Sequence, residues 1–275
     1  VTPADTAIVT GRISGENHPF VEHFKFVKQF EDEDTVARQT MPSPAQTRFV
    51  LTGNASAYPY DEFYKDDDEL TADIVAAYRQ VIADLYAAGC RNVQFDDCTW
   101  TRLCDQRVRD RLGWSDEDAL RLQQENPHAI NAVIADQPAD LAINTHICRG
   151  NFHSTWLSSG GYAPVAAKLF GEENVNAYYL EFDDDRSGDF APLAEVSGDK
   201  KVVLGLITSK KPELEDPQTI KARIEEASKY VPLERLCLST QCGFASTEEG
   251  NKLTEEQQWA KIALVQSIAK DVWGE

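Results

Sequence analysis

The chain has 275 residues, a length that suits one large α/β domain or two small ones and that can bury a sizeable core. Its hydrophobic content of 42% is that of a globular protein, and no apolar run approaches the roughly 20 residues of a membrane span, so no membrane partner is expected. Acidic residues number 46 against 27 lysines and arginines. The formal charge of −19 argues against nucleic acid as a partner, because such a surface repels phosphates.

Strand and helix patterns alternate along most of the chain. Residues 1–37 are predicted to be an irregular or helical lead-in, in which TAIVTGRI could form a strand and HPFVEHFKFVKQF has helical spacing. Short apolar runs then alternate with longer amphipathic stretches, which predicts βα units and a parallel sheet. The six predicted strands are RQTMPSPA (38–45), NVQFDD (92–97), LAINTHIC (141–148), NAYYLEF (176–182), KVVLGLIT (201–208) and RLCLSTQC (235–242).

Three helices are predicted from their end signals. The segment 68–89 opens with acidic residues and ends at a glycine, and the segment 216–231 starts with Asp-Pro. The segment 254–273 begins with Thr254 as N-cap and has Gln257 three residues later, which is a capping box.

Residues that can carry chemistry end four of the predicted strands. In chain order they are Asp96, Asp97, His146, Cys148, Glu181 and Cys242. Such residues at the C-terminal ends of successive parallel strands are typical of a TIM barrel, whereas a doubly wound sheet gathers them at one switch point. The predicted fold is therefore α/β, a (βα)8-type barrel that forms one domain over 1–275. Because six strands fall short of eight, we expect the N-terminal strands to be missing from this chain.

A metal site is predicted from three of these strand ends. His146 and Cys148 are two residues apart, so on a strand they face the same way and aim two zinc-compatible ligands at one point. By itself this pair also fits a buried histidine and a core cysteine. Glu181 lies among apolar neighbours, where a carboxylate is costly unless it is paired or metal-bound. With Cys242 before Gly243, the set supplies the N, S, O and S ligands of a tetrahedral zinc site.

The remaining cysteines do not point to a disulfide scaffold. Six cysteines in a chain of this length are interpreted as reduced thiols of a cytoplasmic protein. Cys90 and Cys237 fit ordinary packing positions, and the spacing of Cys98 and Cys104 matches no zinc motif.

Four segments, in order along the chain, resemble the vitamin-B12-independent methionine synthase family, and most of all its short single-barrel, methionine synthase II-like members. They are THICRGNF, LEFDDDRSGDFAPL, VVLGLITSK and LSTQCGFASTEEGNKLTEEQQWAKI. The resemblance implies a zinc-dependent methyltransferase of methionine biosynthesis that acts on a small-molecule thiol, foremost homocysteine, and a methyl donor. It implies His146, Cys148, Glu181 and Cys242 as zinc ligands. It also implies that Asp96, with Asp97 beside it, binds the amino group of homocysteine.

The chain departs from the family pattern in three places. The Gly-Ser and Gly-Glu motifs of the first two barrel strands are not found, so we expect that the chain alone lacks a complete active site and that an N-terminal extension would raise stability and homocysteine affinity. The long members place a histidine proton donor after the penultimate strand, where Thr208 stands here. The extra N-terminal barrel that helps to bind folate has no counterpart, which leaves the methyl donor open.

The implied mechanism is thiol activation. A free thiol has a pKa of about 8.5, and coordination by zinc deprotonates it. Glu181 is the hardest ligand and is expected to loosen when a substrate sulfur arrives. Three alternatives stay open: another zinc-dependent thiol-alkyl transferase, a non-catalytic zinc-binding paralogue, and a metal-free barrel related to uroporphyrinogen decarboxylase.

Overall fold

The structure, a computed structural model, describes residues 9–52 and 60–274. Within them six strands form one sheet in the order of the chain, and the pairs β3–β4, β4–β5 and β5–β6 are parallel. The strands are β1 (Gln39–Pro42), β2 (Asn92–Asp97), β3 (Ala142–Ile147), β4 (Ala177–Glu181), β5 (Lys201–Ile207) and β6 (Leu236–Thr240). The predicted α/β class and barrel-type strand order are confirmed.

Helices follow the strands, as βα units require. They are α1 (Phe20–Lys28), α2 (Pro44–Thr52), α3 (Asp67–Ala87), α4 (Thr99–Cys104), α5 (Gln106–Leu112), α6 (Asp116–Ile134), α7 (Ala166–Glu172), α8 (Pro217–Ala227) and α9 (Glu255–Trp273). In the described part of the chain, none of the helices is both long and apolar enough to cross a membrane.

Most predicted elements coincide with observed ones. The three helices predicted from end signals are α3, α8 and α9, and the capping box of Thr254 and Gln257 is formed. The first predicted strand is too long at its end, because Pro44 already begins α2. The segment TAIVTGRI lies partly outside the described residues, and its part at 9–13 is not a strand.

The chain forms two compact units. The first comprises residues up to Phe95 together with His128–Ile143, and its core includes Tyr64, Leu70 and Ile74. The second comprises Asp96–Pro127 and the chain from Asn144 onwards.

The second unit has an aromatic core beneath its strand ends. The Phe182 ring packs on Tyr162 at 5.2 Å and on Phe190 at 4.7 Å between centroids. Strand β5 is buried along nearly all of its length, as expected for a parallel strand that is covered on both faces. The side chains at the carboxyl ends of these strands therefore project from a packed core.

Candidate metal centre

Four side chains from the ends of β3 and β4 and from the loop after β6 converge in the second unit. They are His146, Cys148, Glu181 and Cys242, and one potential ligand atom from each lies within 4.8 Å of the others. The first three residues are buried, whereas Cys242 is partly exposed. The sequence placed these residues at the ends of different strands, and the parallel register of the sheet brings the ends together.

His146 presents one ring nitrogen to the cluster and uses the other as an anchor. Its Nδ1 lies 3.1 Å from the carbonyl oxygen of Tyr179 on β4, so Nδ1–H donates there and Nε2 is the nitrogen that faces the cluster. Nε2 lies 3.8 Å from Oε1 of Glu181 and 3.9 Å from Oδ1 of Asp96. Among the described residues this buried nitrogen has no partner with hydrogen-bond geometry. A buried, unpaired imidazole nitrogen is what a metal ligand requires.

The two sulfur atoms lie side by side. Sγ of Cys148 is 4.0 Å from Sγ of Cys242. The pKa of Cys242 lies well below its usual value, because the Cys148 thiol donates to it and the positive charges of His146 and Lys210 outweigh burial. The Cys148 thiol keeps its proton in return, with a pKa well above the usual value because of Cys242, Cys98 and burial. Against the opposing effect of burial, Cys242, Asp96 and Glu181 raise the pKa of His146 to about 10.

Glu181 is buried, and both of its oxygens are hydrogen-bonded. Oε1, which faces His146, accepts from the backbone N–H of Arg149 at 2.7 Å. Oε2 accepts from Arg186 at 3.1 Å and from Gln241 at 3.2 Å. Burial raises the pKa of this carboxyl, although the charges of His146 and Arg186 act to lower it. The arrangement leaves Oε1 as the oxygen that can reach a metal.

Gly205 lets the β6 end approach Glu181. A Cβ atom at Gly205 would lie 2.8 Å from Cα of Gln241 and 2.7 Å from the carbonyl oxygen of Leu180, which is closer than real Cβ contacts. Only glycine therefore permits Gln241, and Cys242 after it, to sit this close to β4.

The two adjacent aspartates at the end of β2 have different surroundings. Asp97 is buried, and its Oδ1 accepts from the backbone N–H and the hydroxyl of Thr99 at 2.7 and 2.5 Å. Asp96 lies beside His146, and its side chain is 43% exposed. The structure therefore brings Asp96 to the open side of the cluster and ties Asp97 to the start of α4.

The donor set fits a tetrahedral metal ion. One imidazole nitrogen, two sulfurs and one carboxylate oxygen are ligands typical of such sites. The hydrogen bonds on Nδ1 of His146 and on Oε1 of Glu181 fix the orientation of these two side chains.

Three polar residues near the cluster were not identified from the sequence: Arg186, Gln241 and Lys210. Arg186 contacts Asp183 at 2.7 Å and also pairs with Glu181 at 3.1 Å. Lys210, two residues beyond the Thr208 position, extends to Asn151 at 2.6 Å. The hydroxyl of Thr208 accepts a hydrogen bond from the backbone N–H of Lys210 at 3.2 Å. No periodicity in the sequence marks such contacts between loops.

Comparisons with known proteins identify the family of the chain. Residues 26–266 match the family described as "cobalamin-independent synthase, catalytic domain". The chain is 44% identical to YxjH of Bacillus subtilis (strain 168) over 273 residues, covering 99% of this chain and 71% of that protein.

Two solved structures resemble the chain. A Listeria monocytogenes protein assigned as a vitamin-B12 independent methionine synthase is 41% identical, with a TM-score of 0.75 over 97% of this chain and 73% of that one. A B12-independent methionine synthase from Shewanella sp. W3-18-1, in complex with selenomethionine, is 20% identical, has a TM-score of 0.68 and supports the fold alone. It covers 93% of this chain and 67% of that one. The chain therefore belongs to the cobalamin-independent methionine synthase family of methyltransferases.

Proposed function

We propose that the chain binds one zinc ion through His146, Cys148, Glu181 and Cys242 and methylates a thiol, foremost homocysteine, to form methionine. The observation that carries the proposal is the convergence of these four donors at the carboxyl end of the parallel sheet. Active sites of barrel proteins lie at that end. Zinc binds nitrogen and sulfur donors of these types, whereas magnesium and calcium take oxygen ligands.

The residues around the cluster are suited to hold an electron-rich sulfur. A bound zinc ion would keep a thiol deprotonated at neutral pH. Two cysteinates and one carboxylate carry three negative charges, which exceed the two positive charges of zinc, so a coordinated sulfur stays nucleophilic. Glu181 already has partners in Arg186 and Gln241, so it can loosen without leaving a bare buried charge.

Asp96 is proposed to bind the ammonium group of the substrate. Its carboxylate is partly exposed next to His146, so a ligand can reach it without unfolding the strand end. A small-molecule methyl donor completes the reaction, and a cytoplasmic location is proposed because all six cysteines are free.

The test measures metal content and methyl transfer together. We expect the purified protein to hold one zinc per chain and to form methionine from homocysteine with at least one donor from a panel of methylated folates and methylated corrinoids. Cys242→Ser should lose most of its zinc and its activity, because serine is a poor zinc ligand.

Cys237→Ser is the matched control, since Cys237 lies on β6, the strand that precedes Cys242, and is absent from the cluster. It should keep both zinc and activity. A zinc-free wild-type protein, or zinc-independent methyl transfer, would contradict the proposal. Methylation of other thiols but not homocysteine would instead favour the alternative thiol-alkyl transferase.

A further inference from the structure

The metal cluster is accessible from the side of Cys242. His146, Cys148 and Glu181 are buried, whereas Cys242 is partly exposed. An incoming sulfur must come within bonding distance of the metal that these four residues would hold. It therefore enters beside Cys242, and the charged groups near Cys242 act on it.

Lys210 is held at this side by a link between three loops. Its Nζ donates to Oδ1 of Asn151 at 2.6 Å. Nδ2 of Asn151 in turn donates to the carbonyl oxygen of Gly243 at 2.7 Å and to the hydroxyl of Ser246 at 2.7 Å. Because Gly243 directly follows Cys242, the ammonium group is fixed relative to the ligand on the open side.

The loop that carries Lys210 is anchored on both sides. Ser209, the residue before it, donates through its N–H and its hydroxyl to Oε1 of Gln241 at 3.1 and 2.8 Å. The backbone N–H of Thr208 donates to Glu215 at 2.8 Å, and Glu215 pairs with the buried Lys261. The position of Lys210 is thus set by the loop after β6 and by α9, which distinguishes it from a mobile surface lysine.

The charge of Lys210 lies on the side of the cluster where Cys242 is exposed. Its ammonium is linked through Asn151 to the carbonyl oxygen of Gly243, the residue after Cys242. With zinc bound, two cysteinates and one carboxylate would leave the site with one net negative charge. A substrate thiolate beside Cys242 would add a second negative charge. A methylated sulfur adds no charge, so it gains nothing from a nearby cation.

We propose that Lys210 is a specificity-determining residue that stabilises a thiolate over a thioether at the open side of the metal cluster. The inference rests on the proposed function and deepens it, because it names the charge state of sulfur that the site selects. In this role Lys210 favours binding of the thiol substrate and release of the methylated product.

Binding of the two ligands to the zinc-loaded chain, measured by titration calorimetry, tests the inference. Homocysteine and methionine share the amino acid group and differ in the charge of their sulfur. We expect Lys210→Met to weaken homocysteine binding about tenfold, the effect of one nearby charge in a partly screened site, and to change methionine binding less than about twofold. Lys210→Arg should retain most of the homocysteine affinity.

Lys211→Met is the matched control, since Lys211 is the exposed next residue and carries the same charge. It should leave both affinities unchanged. Equal weakening of both ligands by Lys210→Met, unchanged homocysteine binding, or loss of zinc from this variant would overturn the inference. A wild-type protein that binds zinc but not homocysteine would contradict the proposed function itself.

Discussion

Asp96 and Asp97 show how neighbouring residues on one strand take different roles. Successive side chains of a strand point to opposite faces, so only one of the two can face the cluster. Asp96 faces His146, whereas the carboxylate of Asp97 accepts a hydrogen bond from the hydroxyl of Thr99.

Replacing Asp96 by asparagine tests its proposed contact with substrate. We expect Asp96→Asn to raise the KM for homocysteine about tenfold or more, because the change removes a charge-assisted hydrogen bond, and to leave zinc content unchanged. Steady-state kinetics and metal analysis check both parts. An unchanged KM, or loss of zinc, would count against the assignment.

Glu173 is a buried carboxyl apart from the metal cluster. Its Oε1 accepts from the indole N–H of Trp100 at 2.8 Å, and burial, aided by the charge of Asp97, holds its pKa well above the usual value. A raised pKa in the folded state means that stability is fully present below the unfolded pKa of about 4.3 and falls as pH rises towards the folded value.

Glu173→Gln should therefore stabilise the protein at high pH only. The amide still accepts from Trp100 but does not ionise. We expect a gain of about 2 kcal/mol at pH 8 and no difference near pH 4, measured by chemical denaturation. The opposite dependence, with the gain at low pH, would show that Glu173 is ionised in the folded protein.

Residue chemistry was predictable where the local pattern restricts it. The two-residue spacing of His146 and Cys148 and the apolar surroundings of Glu181 made these residues candidates, and the combination with Cys242 and the family resemblance selected them. Lys210 and Arg186 could not be found in this way, because their roles arise from loops that meet only in the folded chain.

At the scale of elements, α9 illustrates a long-range anchor. Lys261 of this helix is fully buried, and its ammonium donates to the carbonyl oxygen of Glu213 at 2.7 Å and to the Glu215 carboxylate at 3.1 Å. These bonds attach α9 to the loop after β5, which carries Lys210.

Removing this buried cation should destabilise the fold. We expect Lys261→Met to lower the free energy of unfolding by about 3 kcal/mol, because Glu215 and the Glu213 carbonyl lose their partner. Lys270→Met, an exposed position on the same helix, should change it by less than about 0.5 kcal/mol. If urea denaturation gave the same loss of unfolding free energy for both variants, Lys261 would not be an anchor of α9.

The regular elements were more predictable than the short ones. Strong periodicity and end signals predicted β2 and α9 within about one residue, as is typical of long, patterned segments. Pro44 was assigned to the first predicted strand, yet proline suits the first turn of a helix and begins α2. The short α4 and α5 have too few turns to show a period.

At the scale of the whole molecule, the parallel sheet explains why residues far apart in sequence form one site. Cys148 and Cys242 are 94 residues apart, yet their sulfurs lie 4.0 Å from each other because their strands end on the same side. That residues 1–275 form a single barrel domain stays a prediction.

X-ray absorption at the zinc edge tests the central claim most directly, because it counts the ligands on the metal. We predict one zinc per chain with two sulfur ligands at about 2.3 Å and two nitrogen or oxygen ligands at about 2.0–2.2 Å. Adding homocysteine should raise the sulfur count to three. A metal without sulfur ligands, or a sulfur count that homocysteine does not change, would contradict the account.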